Sequence, residues 1–247
     1  MATMMVIATG SAGNAYALKA GGETLLLEAG VKAERIVRSI GYDVQSVVGC
    51  LVSHEHGDHA KYAGCISTYG ISVYGTGGVS RSDGMMSIRF HAAQPGRLFR
   101  LGGFAVMPMH TEHDVPCLAY VIQHAEMGTL LFATDTPYLD FSVRGIEHVM
   151  LEADYEVEVI ERNLHEGVID QRRHDRVVLN HMHIGTTCET LQRLNAEGTL
   201  RTATLVHLST TNANASRFER LASEAVGLPV RCAKAGLTVE MCNGAPF

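Results

Sequence analysis

The sequence of 247 residues predicts an α/β fold of four layers, in which two mixed β-sheets pack face to face and helices cover both outer faces. The main observation is the order of the elements, because a series of strand patterns followed by helical patterns occurs twice along the chain. Apolar residues make up 46% of the chain and charged residues 19%, which is typical of a globular protein with a substantial core. We therefore expect residues 1–247 to form one domain.

The first half of the chain combines strand patterns with two helical patterns. Apolar residues at helical spacing cover residues 31–40 and stop at Gly41, and a second helix is predicted from His59 to Tyr69. Two strands around Gly21 and Gly22 have the pattern of a β-hairpin. The predicted strands of this half are residues 4–9, 16–19, 24–28, 47–52 and 71–75.

The second half repeats this order, and two of its strand patterns end beside polar residues of one chemical kind. The run at 99–109 ends near His110 and His113, and the run at 129–134 ends at Asp135. Strand ends that bring histidine and aspartate to one place are what a metal site needs. The predicted strands are residues 88–90, 99–109, 118–123, 129–134, 147–152, 203–207, 230–233 and 237–242, and the predicted helices are 156–167, 186–196 and 216–226.

The clearest functional signal follows the apolar strand at residues 47–52. Within six positions the chain offers three imidazoles and one carboxylate, the usual ligands of zinc and similar ions: His54, His56, Asp58 and His59. His54 and His56 face the same way in an extended chain, and Gly57 allows a sharp turn before the other two. If these side chains served packing alone, each buried one would need its own polar partner. The motif predicts a metal site that suits two adjacent ions better than one.

Composition narrows the class of protein. A formal charge of −6 argues against tight, non-specific binding of long nucleic acids, which depends on lysine and arginine. None of the six cysteines forms a C-x-x-C pair, and we interpret them as reduced thiols of a cytosolic protein. No apolar run approaches the roughly 18 residues of a membrane helix, and no basic residue precedes Lys19, so we expect neither a membrane span nor a signal peptide.

The pattern H-x-H-x-D-H resembles the signature of the metallo-β-lactamase superfamily. The turn Gly-Ser-Ala-Gly-Asn at residues 10–14, followed by the hairpin that ends in Glu28, is similar to the opening of WalJ-type and tRNase Z-type members. Those members usually carry aspartate where this chain has Glu28, to which we assign a supporting or structural role at most. The resemblance spans nearly the whole chain and implies the αββα metallo-β-lactamase sandwich.

The resemblance also implies ligands for two divalent ions. One ion would be held by His54, His56 and His113, the other by Asp58, His59 and His207, and Asp135 would bridge both. His110 competes with His113, which we favour because the segment from His113 to Tyr120 is similar to the H-D-x-x-P-x-x-Y stretch of WalJ-type members. From the residues alone, Asp135 is either a cap of the next turn or a ligand. Zinc is the default ion for a histidine-rich site, and manganese and iron also fit.

Further residues are candidates for roles beside the metals. Asp58 is predicted to orient the attacking water as well as to bind metal. Related proteins place a histidine just before a helix start beside the metals, where it assists the leaving group, and His183 is our candidate, with His181 as the alternative. A cluster of arginines forms either a solvated helical face, the commoner use, or a rim that contacts phosphate: Arg172, Arg173 and Arg176.

These features predict a metal-dependent hydrolase that cleaves phosphodiesters in nucleic acid or nucleotides through a hydroxide activated by two metal ions. The acidic balance favours a small or locally gripped substrate unless a basic strip forms. We expect no membrane partner, and the oligomeric state is left open, a homodimer included. The alternative is a lactone or thioester hydrolase of the lactonase or glyoxalase II kind, for which Tyr138 is the relevant feature. A third hypothesis, binding without catalysis, conflicts with the intact ligand set.

Overall fold

A computed structural model describes residues 1–242 of the chain. In chain order its strands are β1 (Thr3–Ala8), β2 (Ala15–Ala20), β3 (Glu23–Leu27), β4 (Val47–Val52), β5 (Val73–Gly75), β6 (Phe90–Ala92), β7 (Phe99–Leu101), β8 (Phe104–Thr111), β9 (Cys117–His124), β10 (Gly128–Ala133), β11 (His148–Glu152), β12 (Thr202–Val206), β13 (Val230–Cys232) and β14 (Thr238–Glu240). The helices are α1 (Ala33–Ser39), α2 (Gly57–Ala60), α3 (Ala63–Thr68), α4 (Val157–His165), α5 (Gln171–Asn180), α6 (Ile184–Leu194) and α7 (Ala215–Val226).

The strands form two sheets of seven, each of them mixed. The first sheet has the order β14-β1-β2-β3-β4-β5-β6, and the second has the order β13-β12-β11-β10-β9-β8-β7. Strands β3 to β6 run parallel in the first sheet, and β10 to β13 run parallel in the second. Parallel strands bring their carboxyl ends to one edge of a sheet, which is where α/β proteins usually place their sites.

Successive side chains of a strand point to opposite faces of its sheet. The apolar side chains therefore form three layers, one between the two sheets and one on the outer face of each. Leu25 and Leu27 of β3 join a central cluster that also contains Phe132 of β10, whereas Leu26 faces the other way. The outer face of the first sheet packs on α1 and α3, and that of the second packs on α6 and α7. This is the four-layer αββα arrangement that the order of elements predicts, and the fold prediction is confirmed.

Most boundaries differ from those predicted by one to three residues, and three elements differ more. The run at 99–109 is divided into β7 and β8 by a turn at Gly102, whose φ of 55° suits glycine. The helix predicted from His59 to Tyr69 consists of α2 and α3, and the first of these already contains Asp58 and His59. The strand predicted at residues 88–90 is mostly a 3-10 turn that leads into β6.

Helices α4 and α5 follow β11 and lie beside the carboxyl edge of the second sheet. They share a small apolar cluster formed by Tyr155, Ile160, Ile169 and Val177. Asp170 begins α5, where its carboxylate accepts a hydrogen bond from the backbone N–H of Arg173. None of the helices within residues 1–242 combines the length and the apolarity that crossing a bilayer requires.

Candidate metal centre

The carboxyl ends of the parallel strands deliver most of the predicted ligands to one place. His54 and His56 follow β4, and the short helix α2 carries Asp58 and His59. From the second sheet, Asp135 follows β10, His207 follows β12, and His113 lies in the connection between β8 and β9. The seven predicted ligands therefore come from both sheets and meet where their edges face each other.

Three imidazoles form the first subset of the cluster. Their ligand atoms lie within 4.8 Å of one another, and they belong to His54, His56 and His113. The Nε2 atom of His113 lies 3.2 Å from the Nδ1 atom of His56. Because three imidazole nitrogens lie this close together, the subset could supply three ligands to one cation.

The second subset combines one carboxylate with two imidazoles. Oδ2 of Asp58 lies 3.4 Å from Nε2 of His59 and 3.3 Å from Nε2 of His207. Both imidazoles are buried and Asp58 is half-buried. A mixed set of one carboxylate and two imidazoles is a common donor set for divalent metals.

Asp135 lies between the two subsets. Its Oδ2 atom is 3.1 Å from Nε2 of His59, and its Oδ1 atom is 3.7 Å from Nε2 of His207. The hydroxyl of Thr134 donates a 2.6 Å hydrogen bond to Oδ2 and fixes the carboxylate. Asp135 also groups with His54 and His59, so its side chain faces both sets of ligands.

A buried nitrogen without a partner tests whether these residues fit a metal ion. Nε2 of His54 has no hydrogen-bond partner within residues 1–242, although the side chain is fully buried. Its Nδ1 atom lies 2.9 Å from the hydroxyl of Ser53, which orients the ring and leaves Nε2 toward the cluster. An unpaired buried nitrogen costs free energy, which coordination to a cation would recover. The donor set therefore fits a divalent metal.

Backbone conformations with a positive φ, which are rare for residues other than glycine, also occur at this cluster. Four non-glycine residues of the described chain have a positive φ, and three of them lie at this cluster: Glu28, Asp135 and His207, with φ of 63°, 53° and 55°. Each follows a strand of one of the two sheets. Such conformations cost on the order of 1–3 kcal/mol each and concentrate at functional sites, where the surrounding structure holds them in place.

Glu28 and Asn14 contact the two ring nitrogens of His59. Oε2 of the buried Glu28 lies 3.5 Å from Nδ1 of His59, and the carboxylate also accepts from the backbone N–H of Ser53. The Nδ2 atom of Asn14 lies 3.2 Å from Nε2 of His59 and also donates to the backbone carbonyl of Asp58. Glu28 therefore lies behind the His59 ring at Nδ1, whereas Asn14 of the 10–14 turn lies next to the ring nitrogen that faces Asp58 and Asp135.

Two buried groups near the cluster were not singled out from the sequence. Oε1 of Glu152 lies 2.7 Å from Nδ1 of His181 and 3.3 Å from Nδ1 of His207, and Asp154 lies 3.7 Å from the latter nitrogen. The backbone N–H groups of Thr136 and Met182 donate to the other Glu152 oxygen. The available signal was an acidic residue at the end of an apolar strand, the signal that singled out Asp135.

The charges of the cluster perturb its pKa values. Burial lowers the pKa of His54 well below its ordinary value, and the nearby His59 adds to this effect. Burial also opposes charge on His59 and His207, but Asp135 together with the other carboxylates around each ring outweighs it and raises the pKa of both imidazoles well above their usual range. Burial favours the neutral form of Asp58, yet hydrogen bonds from His207 and His59 hold its pKa far below normal. The carboxylates thus attract positive charge, as protons or as metal ions, to one place.

His181 takes the place that we predicted for His183. His181 lines a cleft of about 280 Å³ together with His56, Asp58, His113, Asp135 and His207. His183 begins α6 instead, where its Nδ1 atom accepts a hydrogen bond from the N–H of Gly185 and its Nε2 atom lies 2.9 Å from the hydroxyl of Thr186. The structure does not bring His183 to the cluster, because its side chain is used to start the helix.

Three further predictions concern residues around the cleft. His110 is exposed on β8 near Glu112 and is absent from the cluster, whereas His113 belongs to it, as we favoured. Of the three arginines of α5, Arg176 lines the cleft, while Arg172 and Arg173 are exposed and do not. Tyr138 is 49% exposed and also lies outside the lining of the cleft.

Known proteins resemble this chain in sequence and in fold. No protein-family model matches the chain. Among curated proteins, the chain is 24% identical over 182 residues to the exodeoxyribonuclease WalJ of Streptococcus pneumoniae, a match that covers 68% of each protein. It is also 24% identical over 180 residues to the exodeoxyribonuclease YycJ of Bacillus anthracis, again with 68% of each protein covered.

Similarity to solved structures identifies the fold of this chain. The metallo-β-lactamase fold protein YhfI of Bacillus subtilis superposes with a TM-score of 0.73 at 19% identity, covering 97% of this chain and 100% of that one. The chain has the metallo-β-lactamase fold. Zinc-bound PqqB of Methylobacterium extorquens gives a TM-score of 0.71 at 14% identity, with 96% and 99% of the chains covered. Human tRNase Z, short form, gives 0.62 at 13% identity, with 97% and 99% covered. The resemblance inferred from the H-x-H-x-D-H pattern is confirmed at the level of the fold.

Proposed function

We propose that this chain is a metal-dependent phosphodiesterase that acts on nucleic acid or nucleotides. The observation that carries the proposal is the pair of ligand subsets joined by Asp135 at the floor of an open cleft. A cleft of about 280 Å³ next to such a cluster has room for a phosphoryl group and part of its substituents.

Two ions account for all seven predicted ligands. His54, His56 and His113 would hold one ion, Asp58, His59 and His207 the other, and Asp135 would contact both. Two divalent ions so held would lower the pKa of a water molecule between them and offset the negative charge of a phosphoryl group. Zinc is the default for so many imidazoles, and manganese or iron also suits a set with two carboxylates.

Among the residues around the cluster, His181 is placed to supply a proton to the leaving oxygen. Its Nδ1 atom is held by Glu152, and within the described chain its Nε2 atom makes no hydrogen bond. Burial opposes charge on this imidazole, but Glu152, Asp135 and Asp154 outweigh it and raise its pKa to about 9. A positioned imidazolium can donate its Nε2 proton to the departing alkoxide, which is the role first given to His183.

The side chains around His181 suit an anionic substrate. Arg176 and Asn180 form the wall of the cleft next to His181. The guanidinium of Arg176 forms no ion pair with another residue in positions 1–242, so it is free to contact a phosphate oxygen. Asp58 faces the same cleft and would orient the attacking water through its carboxylate as well as bind metal.

The names of the relatives support a phosphodiester substrate, and the one residue that had favoured the alternative activity does not line the cleft. WalJ and YycJ carry the name exodeoxyribonuclease, and tRNase Z shares the fold. For a lactone or thioester hydrolase, Tyr138 was the relevant residue, and it is exposed outside the cleft. We therefore rank phosphodiester cleavage above ester cleavage.

The test is an activity panel with metal-loaded protein on bis(p-nitrophenyl) phosphate, single strands of DNA and RNA, a cyclic nucleotide, a lactone and a thioester. We expect hydrolysis of phosphodiesters that falls at least about 100-fold in Asp135→Asn, since removal of a shared charge disturbs both subsets. The matched control is Asp140→Asn, an exposed carboxylate beyond the same strand. Turnover of the lactone or thioester alone, or full phosphodiesterase activity in Asp135→Asn, would overturn the proposal.

A further inference from the structure

A groove on the side of the molecule next to the cleft is lined by four basic side chains and by one acidic side chain, Asp58. It has a volume of about 570 Å³ and runs between α1 and the end of α2. Its cationic lining residues are Lys32, Arg35, Arg38 and Lys61. This concentration of positive charge stands out in a chain whose formal net charge is −6.

Most of these cations are free to bind an anion. No ion pair within the described residues involves Lys32, Arg38 or Lys61, and all three side chains are exposed. Arg35 differs, because its Nη2 atom donates a 2.6 Å hydrogen bond to the backbone carbonyl of Ile7 and ties α1 to β1. The one acidic residue of α1, Glu34, does not line the groove.

The groove opens directly into the cleft above the metal ligands. Ser11, Gly57 and Asp58 line both, so one continuous surface leads from the candidate metal centre to the basic side chains. Tyr62 also lines the groove, and its ring lies 5.7 Å from Nζ of Lys61. Cations that follow a backbone, with an aromatic ring between them, are the usual equipment for binding a single nucleic-acid strand.

We propose that this groove holds the phosphates of a single-stranded nucleic acid on one side of the scissile bond. The inference rests on the proposed function and refines it, because a mononucleotide would leave these cations without partners. The sequence had suggested that a basic strip, if one existed, would come from α5. The structure instead brings residues 32–38 together with Lys61, since the parallel neighbours β3 and β4 are followed by α1 and α2.

The proposal is tested by a triple variant, Lys32→Gln/Arg38→Gln/Lys61→Gln. Arg35 is kept because it is bonded to β1. The control, Arg97→Gln/Arg100→Gln/Arg231→Gln, removes the same number of charges from exposed arginines outside the groove. Fluorescence anisotropy measures the Kd of labelled DNA and RNA strands of about 15 nucleotides for metal-loaded protein at several salt concentrations, with a gel to verify that the strand is uncut.

We expect the groove variant to bind the strand roughly 10-fold or more weakly, to a similar degree for different base sequences. The slope of log affinity against log salt should become shallower by about 2, since three phosphate contacts are lost. The ratio of oligonucleotide hydrolysis to bis(p-nitrophenyl) phosphate hydrolysis should fall with it. The control variant should behave as the unaltered protein, and comparison of DNA with RNA shows which strand the groove prefers.

An unchanged Kd and salt slope in the groove variant would overturn the proposal, as would an equal loss in the control variant. Failure of the proposed function gives a different result. In that case no phosphodiester is cleaved by the unaltered protein, while the binding measurement still reports on the groove.

Discussion

The imidazole of His181 lies parallel to that of His207, with an angle of 4° between the rings and 5.3 Å between their centroids. Both rings direct Nδ1 toward the same oxygen of Glu152, at 2.7 Å and 3.3 Å. One buried carboxylate thus forms a hydrogen bond with a candidate proton donor and lies next to a candidate metal ligand. Metal-binding histidines commonly depend on such a partner behind the ring.

Replacing Glu152 with glutamine should weaken metal binding. The amide keeps only one acceptor oxygen, so its NH₂ group places a donor either against the backbone N–H groups of Thr136 and Met182 or against the two imidazoles. We expect metal affinity to fall roughly 10- to 100-fold. Equilibrium dialysis measures the affinity, and Glu158→Gln on the exposed face of α4 is the control. Equal metal affinity in the two variants would show that Glu152 does not support the site.

The sequence predicts a site residue best when the residues that define its role lie close to it along the chain. His54, His56, Asp58 and His59 lie within one short segment, so their spacing alone predicted their common use. Asp135 follows an apolar strand, which from the residues alone allowed either a cap or a ligand, and the family resemblance gave both Asp135 and His207 their predicted ligand roles. Glu152 has the same position after β11, but only its contact with two histidines, 29 and 55 residues further along, gives it a role, and no local pattern contains that contact.

Alanine at His181 should affect cleavage according to the leaving group. If Nε2 of His181 protonates the departing oxygen, loss of the imidazole should slow release of a nucleoside alkoxide by roughly 100-fold or more. Release of p-nitrophenolate, which needs little protonation, should slow far less. The comparison of kcat for an oligonucleotide and for bis(p-nitrophenyl) phosphate measures this difference. Equal losses on both substrates would assign His181 a role in holding the site rather than in proton donation.

His183→Ala is the matched control for that experiment, because the two histidines are separated by one residue. His183 accepts the hydrogen bond from Gly185 that starts α6, so its removal should lower the free energy of unfolding by roughly 1 kcal/mol. Urea denaturation measures this loss, and kcat should show no dependence on the leaving group. The sequence could not separate the two residues, since both precede Thr186 and the choice depends on which residue begins the helix.

Gly30 should tolerate no side chain. A Cβ atom at this position would lie 1.8 Å from the backbone carbonyl oxygen of Asp58 and 2.8 Å from the backbone nitrogen of Asn14. Asn14 and Asp58 are joined there by a 2.7 Å backbone hydrogen bond, so Gly30→Ala would push α2 and its ligands away. We expect a loss of roughly 1–3 kcal/mol in the free energy of unfolding, together with weaker metal binding.

Chemical denaturation and metal titration test the Gly30 variant against Gly77→Ala. A Cβ atom at Gly77 would meet no other atom within 4 Å, so that variant should remain close to the unaltered protein in both measurements. Normal stability and normal metal affinity in Gly30→Ala would mean that the 10–14 turn and α2 can separate without harm to the site.

Metal should stabilise the folded chain through His113 and not through His110. The His113 side chain is 2% exposed and its Nε2 atom faces His56, whereas the His110 side chain is 57% exposed near Glu112. A metal ion at 100 times its Kd adds about 2.7 kcal/mol to the free energy of unfolding. His110→Ala should retain this gain, and His113→Ala should lose most of it at the same metal concentration. Urea denaturation with added metal or with EDTA measures the gain, and the reverse pattern would transfer the ligand role to His110.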